Sequence, residues 1–208
     1  SGFVTINGQK MSKSLKNFRT IRDLLKNYSS EAIRFLTISA HYRSPIDYKE
    51  DLIKQSEAGA QRIRELINKL ELIKNSGPKM KIKIDEIIKN AKIEFEAKMD
   101  DDFNTSQALA ALFSFIKIIN IFIDEKNLDQ KSAEKSIRFL KEIDKILGII
   151  PKKESEIPEE IFNLVQNREK LRKEKAWLEA DKVRDEIQSL GYSVEDTPYG
   201  PLIKKLIN

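Results

Sequence analysis

The sequence contains no cysteine and only one histidine, His41, among its 208 residues. The absence of cysteine excludes disulfide bonds, thiolate metal ligands and cysteine nucleophiles from this chain. A single histidine leaves little to hold a transition metal and makes a histidine-based catalytic triad doubtful. No apolar run approaches the roughly eighteen residues of a membrane-spanning helix, and the first residues show no secretory signal. We therefore expect a cytoplasmic protein that contacts no membrane.

Positive charge is concentrated at the start of the chain. The net charge is +5, and residues 1–26 alone contain six lysines and arginines against one acidic residue, Asp23. The net charge of the remaining residues is therefore zero. A concentrated basic segment suits a polyanion, either nucleotide phosphates or nucleic acid.

The first fifty residues combine a hairpin, a loop and short helices. Asn7-Gly8 favours a type I′ turn between two short strands, and a polar loop follows over 10–18. Thr20 begins a capping box that predicts a short helix, and a second helix is predicted from Ser29 or Ser30. Ser44-Pro45 then interrupts the pattern before a third helix.

The rest of the chain predicts a mainly α fold. Apolar residues spaced three and four apart between 52 and 148 predict helices that pack as an antiparallel bundle. A charged, apolar-poor stretch follows as a linker, and a small α+β unit with two helices and a short β-hairpin ends the chain. The predicted divisions are 1–48, 49–150, the linker 151–157, and 158–208.

The stretch Lys10-Met11-Ser12-Lys13-Ser14 carries the clearest chemical signal. It offers two ammonium groups three residues apart on a loop, with hydroxyl groups beside them. An ammonium group can stabilise the charge that develops on phosphate oxygens when pyrophosphate leaves. The alternative is a basic surface loop that contacts nothing, because a five-residue match is common by chance. These five residues alone support the two interpretations about equally.

The flanking sequence resembles the cysteinyl-tRNA synthetases, a family of class I aminoacyl-tRNA synthetases. Four segments resemble landmarks of that family in the family's order, and the resemblance runs from Phe3 to the end of the chain. They are NGQKMSKSLKNFRTIRDLL, SEAIRFLTISAHYRSPIDY, KMDDDFNT and EADKVRDEIQSLGYSVEDTPYGP. The stretch from Lys10 to Ser14 corresponds to the family's KMSKS loop, and we use that name for it.

The resemblance implies a two-step ligase reaction with ATP and Mg²⁺, L-cysteine and the cysteine tRNA. Lys13 corresponds to the more direct ATP ligand and Lys10 to its support, so these two are the implied catalytic residues. Met11, Ser12 and Ser14 complete the implied ATP-binding loop without a chemical step. The resemblance also implies a monomer, and a helical bundle of the anticodon-binding (DALR) type.

The resemblance covers only part of the catalytic apparatus. The family's nucleotide-binding fold, its HIGH-type motif and its zinc ligands precede the KMSKS loop, so zinc belongs to the full-length enzyme with ligands outside this chain. We therefore expect this chain alone to be inactive. Lys16 stands where most members of the family have glycine, which adds charge and removes a flexible hinge.

Several residues are candidates for tRNA contact. Arg34, in the SEAIRF segment, either contacts tRNA or is packed and paired within the protein. Trp177 is expected in the core rather than as a platform for a base. The candidate tRNA-binding residues are Arg34, Arg168, Arg172, Lys173, Arg184 and Asp196.

Two further features favour a structural interpretation over a chemical one. Asp100-Asp101-Asp102 precedes a helix cap, which favours a corner between helices over a cation site. His41 is expected to hydrogen-bond at a helix end rather than to act as a ligand or base.

Two other functions remain possible from the sequence. A cysteine ligase of mycothiol synthesis shares the KMSKS loop but lacks the complete tRNA-recognising tail. A free-standing tRNA-binding module has no use for a KMSKS loop, so the loop counts against that hypothesis.

Overall fold

The computed structural model describes residues 4–74, 82–152 and 157–206. Within these ranges it is mainly helical, as predicted, with two small sheets. The predicted end of the long helix at Asn75–Pro78 and residues 153–156 of the predicted linker lie outside the described residues. The elements are β1 Val4–Ile6, β2 Gln9–Lys10, α1 Ile21–Leu24, α2 Ser30–Ser39, β3 Ile46–Tyr48, α3 Glu50–Glu71, α4 Ile84–Asp100, α5 Thr105–Asp124, α6 Gln130–Leu147, α7 Glu159–Lys173, α8 Trp177–Ser189, β4 Tyr192–Thr197 and β5 Gly200–Lys205.

The N-terminal sheet confirms the hairpin and adds a strand after Pro45. Strands β1 and β2 pair antiparallel, and Asn7 and Gly8 both have positive φ, as a type I′ turn requires. The third helix, α3, does follow Pro45, but the unpredicted strand β3 lies between them and pairs parallel to β1, in the order β2-β1-β3. A strand of only three residues shows too little alternation to be recognised, and its partner β1 is some forty residues away.

The bundle of α3 to α6 contains the main hydrophobic core, to which α2 is joined. Gly59 of α3 permits this junction, because a Cβ atom there would lie 2.7 Å from the Phe35 ring of α2. Asn104 caps α5 by accepting a hydrogen bond from the Gln107 amide, as predicted. Gly148 ends α6 in the left-handed conformation.

Helix α5 is the most apolar element of the described chain. Its mean hydropathy is 1.7, and it is long and apolar enough to cross a membrane by length and composition, which corrects the expectation of no such run. Its buried side chains, which include Leu112, Phe115 and Ile119, belong to the bundle core. Only 44% of this stretch is buried and Ile118 and Ile121 are exposed, so packing in the core accounts for one face of the helix and not for its whole composition.

The C-terminal unit consists of α7, α8 and the β4–β5 hairpin, as predicted. Its small core joins Val165 and Ile187 of the helices to Val194 of the hairpin. The hairpin also contacts the bundle, because the Tyr199 hydroxyl donates to the Leu128 carbonyl at 3.0 Å.

An ion-pair cluster reinforces the junction between the hairpin and α3. Glu195 lies 2.7 Å from both Lys69 of α3 and Lys204 of β5, and Lys204 also pairs with Glu65 of α3 at 3.1 Å. Burial opposes the charge of Glu195, but the hydrogen bonds from Lys204 and Lys69 outweigh it and lower its pKa.

Candidate functional site

The KMSKS loop leaves strand β2 and is held together by its own polar groups. The Asn17 side chain bridges it, accepting from the Ser12 amide at 2.9 Å and donating to the Lys10 carbonyl at 3.2 Å. The Ser12 hydroxyl accepts from the Leu15 amide at 3.3 Å and lies 3.1 Å from the Ser14 hydroxyl. The two serines therefore shape the loop, a role for which the motif alone gave no signal.

Met11 connects the loop to the body of the protein. Its amide donates to the Val4 carbonyl of β1 at 3.0 Å, and its sulfur accepts from the Arg19 amide at 3.4 Å. Because Met11 is half-buried between these contacts, the loop begins and ends at fixed points.

Lys13 presents its charge to solvent. Its ammonium lies 5.8 Å from the centre of the Phe18 ring, and no ion pair to it occurs among the described residues. Lys10 is also exposed, on strand β2. The Lys13 ammonium, which has no ion pair among the described residues, is therefore open to an incoming anion.

Lys16 has a left-handed backbone, with φ of +53°. Its amide donates to the Lys13 carbonyl at 3.1 Å, which closes a turn directly after the motif. Glycine adopts this conformation without steric cost, which gives a physical reason for the glycine usual at this position in the resembling family.

Asp47 of strand β3 is a residue that sequence reasoning missed. Its Oδ1 accepts from the Thr5 hydroxyl at 2.7 Å and from the Gly8 amide at 2.9 Å. The bond from Gly8, then that from Thr5, lowers the pKa of Asp47. No local signal could have revealed this role, because the contacts depend on the parallel pairing of β1 with β3.

The predicted corner at Asp100–Asp102 is confirmed, and it joins two of the landmark segments. Tyr42 and Arg43 donate to Asp102 Oδ1 at 2.7 and 3.2 Å. His41 Nε2 lies 3.1 Å from the Asp102 carbonyl, and its Nδ1 accepts from the Arg43 amide, so the proton belongs on Nε2. His41 is thus a hydrogen-bonding residue at the end of α2, as predicted.

Arg34 lies beside the end of helix α6. A Cβ atom at Gly148 would lie 3.4 Å from its Nη1, so the guanidinium covers the last turn of that helix. A cation is favourable there because the carbonyl end of a helix carries partial negative charge. This placement supports the packed alternative for Arg34, although the residue is exposed.

Arg168 is buried and paired, which corrects its place among the direct tRNA contacts. Only 2% of its surface is exposed. Its guanidinium donates two hydrogen bonds to the Asp196 carboxylate, at 2.7 and 2.9 Å, and contacts Glu169 at 3.0 Å. Arg168 therefore orients Asp196 and has no face left for a nucleic acid.

The prediction that Trp177 lies in the core is wrong. Trp177 is 55% exposed, and the Arg172 guanidinium lies 5.9 Å from the centre of its ring. Arg172 also pairs with Asp196 Oδ2 at 3.3 Å, and Arg184 contributes positive charge near that carboxylate. The bond from Arg168 comes first among the interactions that lower the pKa of Asp196.

The residues that surround Asp196 form one surface of the C-terminal unit, which we call the C-terminal cluster. Its members are Arg168, Arg172, Trp177, Arg184 and Asp196. Lys173 is exposed near by on the last turn of α7, and no ion pair joins it to the described residues.

Three family models match the chain in succession. The model of the "tRNA synthetases class I (C) catalytic domain" matches residues 1–58, the "DALR domain" matches 94–151, and the "Cysteinyl-tRNA ligase anticodon binding domain" matches 154–200. The KMSKS loop lies in the first match and the C-terminal cluster in the third.

The chain is also similar along its whole length to curated cysteine–tRNA ligases. It is 41% identical to that of Caldicellulosiruptor saccharolyticus, with 99% of this chain and 45% of the relative aligned. It is 40% identical to that of Thermodesulfovibrio yellowstonii, over 100% of the chain and 47% of the relative. It is 39% identical to that of Thermococcus gammatolerans, with 99% of this chain and 46% of the relative aligned. The chain thus spans about half the length of these relatives, and with its three successive domain matches it belongs to the cysteinyl-tRNA synthetase family.

Proposed function

We propose that this chain serves as the C-terminal part of a cysteine–tRNA ligase, in which it supplies the loop for ATP phosphates and the surfaces that recognise tRNA. The observation that carries the proposal is an exposed Lys13, without an ion pair in the described structure, in the same chain as an anticodon-binding match. That match, over residues 154–200, favours tRNA ligation over cysteine ligation in mycothiol synthesis.

In the first step, a carboxylate oxygen of L-cysteine attacks the α-phosphorus of ATP. The bond from that phosphorus to the bridging oxygen breaks, and pyrophosphate leaves with the electron pair. Lys13 stabilises the charge that develops on the leaving group, and Lys10 supports it from the adjacent strand. In the second step, a terminal ribose hydroxyl of the tRNA attacks the cysteinyl carbonyl, and AMP leaves.

Zinc and Mg²⁺ enter this proposal only through the family. Among residues 4–74, 82–152 and 157–206, no three His, Asp or Glu side chains form a group that could hold a metal ion, and the chain has no cysteine. The residues present do not fit a zinc site, so we derive no step through a metal. ATP is a substrate, and Met11, Ser12 and Ser14 shape the loop proposed to meet its phosphates.

The C-terminal cluster is proposed to contact the anticodon. An exposed indole beside a guanidinium offers a stacking surface, which unpaired RNA bases use. Asp196, oriented by Arg168, offers carboxylate oxygens that accept hydrogen bonds from base edges. Lys173 and Arg184 supply positive charge for phosphates, and Arg34 is proposed as a further contact from the bundle. We further propose a cytoplasmic monomer, with the domain divisions given by the sequence.

Pyrophosphate exchange tests the role of the KMSKS loop. In the full-length enzyme, we expect Lys13→Ala to slow cysteine-dependent ATP–pyrophosphate exchange about a hundredfold, because a charge-stabilising contact is lost. Lys26→Ala is the matched control, since Lys26 belongs to the same basic segment but pairs with Asp23. The chain alone should show no exchange. Normal exchange by Lys13→Ala would refute the proposed role.

tRNA binding tests the C-terminal cluster separately. We expect Trp177→Ala and Arg172→Ala to weaken tRNA binding while pyrophosphate exchange stays intact. Trp177→Ala should lower the affinity for tRNA about tenfold, since stacking of one base contributes roughly 1–3 kcal/mol. Lys182→Ala, an exposed lysine on the same helix, is the control. Unchanged tRNA affinity in both variants would show that the cluster does not contact tRNA.

A further inference from the structure

We propose that Asp47 is a positioning residue for the KMSKS loop, and that its Oδ1 atom fixes the hairpin from which the lysines extend. This inference rests on the function proposed above, in which Lys10 and Lys13 meet phosphate charge. Asp47 itself lies outside the loop and is not a catalytic residue.

One carboxylate oxygen joins the strand and the turn of the hairpin. Thr5, in the middle of β1, lies opposite Asp47 in the parallel register. Its hydroxyl reaches Oδ1 at 2.7 Å, and the amide of Gly8, at the tip of the turn, reaches the same oxygen at 2.9 Å. Rotation of the hairpin about its strand would break at least one of these bonds.

The hairpin leads directly into the catalytic loop. Gly8 is two residues before Lys10 in the chain, and Lys10 is the last residue of β2. A shift at Gly8 therefore moves Lys10 and the start of the loop. Because a displacement of about 1 Å in a reacting group can slow a reaction about a hundredfold, a contact outside the loop can affect the first chemical step.

Strand β3 provides a fixed base for this contact. Tyr48, next to Asp47, packs against the small cluster that contains Ala32, Leu36 and Ile53. Helix α3 begins at Glu50, directly after the strand. Because Asp47 lies between α3 and the hairpin, its hydrogen bonds fix the hairpin relative to that helix.

The ion pair of Asp47 with Lys49 is a separate feature that can be removed by itself. Lys49 Nζ lies 3.1 Å from Oδ2, the oxygen that does not contact the hairpin. Its side chain is 52% exposed, and such surface pairs contribute little to stability. Lys49→Ala therefore removes the charge partner while leaving the two Oδ1 bonds in place.

The test compares Asp47→Ala, Asp47→Asn and Lys49→Ala in the full-length enzyme, by single-turnover formation of cysteinyl-adenylate. We expect Asp47→Ala to slow this step about tenfold to a hundredfold. The KM for cysteine should change little. Asp47→Asn keeps an oxygen that can accept from Thr5 and Gly8, so its rate should return to within about threefold of the wild type. Lys49→Ala should match the wild type.

The outcomes separate this inference from the proposed function. A normal rate in Asp47→Ala, with exchange lost in Lys13→Ala, would overturn the inference and leave the function standing. Normal exchange in Lys13→Ala would instead refute the role of the loop. A rate that Asp47→Asn fails to restore would also overturn the inference, because charge rather than Oδ1 would then be responsible.

Thr5→Val keeps the experiment decisive if Asp47→Ala unfolds. Valine retains the shape and strand preference of threonine but cannot donate to Oδ1. We expect a folded Thr5→Val enzyme, verified by thermal unfolding, to slow adenylate formation about threefold to tenfold, the cost of a typical hydrogen bond. An unchanged rate in that folded variant would overturn the inference.

Discussion

The KMSKS loop and the C-terminal cluster are both basic, but the structure arranges their charges in opposite ways. Lys13 of the loop is exposed, and no ion pair to it occurs in the described part of the chain. Arg168 of the cluster is buried and fully engaged by Asp196 and Glu169. The loop is instead held by hydrogen bonds of neutral groups, chiefly those of Asn17.

This difference between an unpaired and a paired cation indicates different roles, one in function and the other in stability. A cation that must meet charge developing on a substrate has to remain unpaired, so it contributes little to folding. A buried guanidinium is stable only with its partners, so it contributes to folding and presents those partners in a fixed orientation. Mutations of the buried ion pair in the cluster should therefore change stability, and mutations of the loop lysines should change activity.

The largest effect on stability is expected at the ion pair of the cluster. Asp196→Ala should lower the free energy of unfolding of the C-terminal unit by about 3 kcal/mol, because it leaves the buried Arg168 with only Glu169. Urea denaturation followed by the fluorescence of Trp177, the only tryptophan of the chain, measures this. Glu169→Ala is the control and should cost about 1 kcal/mol or less. A larger loss for Glu169→Ala than for Asp196→Ala would reverse the assigned roles.

Acid should weaken the ion pair between Arg168 and Asp196. The hydrogen bonds from Arg168 lower the pKa of Asp196 in the folded state. The stability that comes from its charge is therefore complete above the unfolded pKa of about 3.9 and is lost as pH falls through the lower folded value. Urea midpoints between about pH 2 and 7 should show this fall. Asp196→Asn should flatten it, and an unchanged profile in that variant would assign the acid sensitivity to other carboxylates.

Sequence patterns predicted the features that depend on neighbouring residues. The turn at Asn7-Gly8, the capping box at Thr20 and the end of α6 at Gly148 each follow from local backbone preferences, and the structure confirms all three. The strand β3 and the role of Asp47 depend on pairing between distant segments, which such patterns do not reveal.

The error at Trp177 has a different cause. Helical spacing aligned it with Ala180 and Ile187, which are indeed buried. Trp177 is, however, the first residue of α8, directly after the turn that ends α7 at Lys173. Periodicity gives the face of a helix but not how far the covering element extends, so the first turn of α8 remains open on that face.

Two of the left-handed positions, Gly148 in the bundle and Lys16 in the loop, allow a further comparison of the two regions. Gly148 has φ of +62°, and a Cβ atom there would approach Arg34 to 3.4 Å. We expect Gly148→Ala to destabilise the bundle by about 1 kcal/mol, since alanine is strained at this φ. Thermal unfolding monitored by circular dichroism measures the change. Gly59→Ala, with a normal helical φ but a Cβ atom 2.7 Å from Phe35, separates steric crowding from backbone strain.

Lys16 should show the smallest effect, and it should appear in activity more than in stability. Lys16→Gly relieves the backbone strain at φ of +53°, but glycine also gives the unfolded chain more conformational freedom. These effects oppose each other, so the free energy of unfolding should change by only about 0.5 kcal/mol. Lys16→Ala is the matched control, because it removes the same charge while keeping a Cβ atom. If the catalytic form of the loop uses this backbone conformation, the glycine variant should form cysteinyl-adenylate about twofold faster than the alanine variant in single-turnover measurements on the full-length enzyme. Equal rates in the two variants, both different from the wild type, would show that the charge of Lys16 matters and its backbone conformation does not.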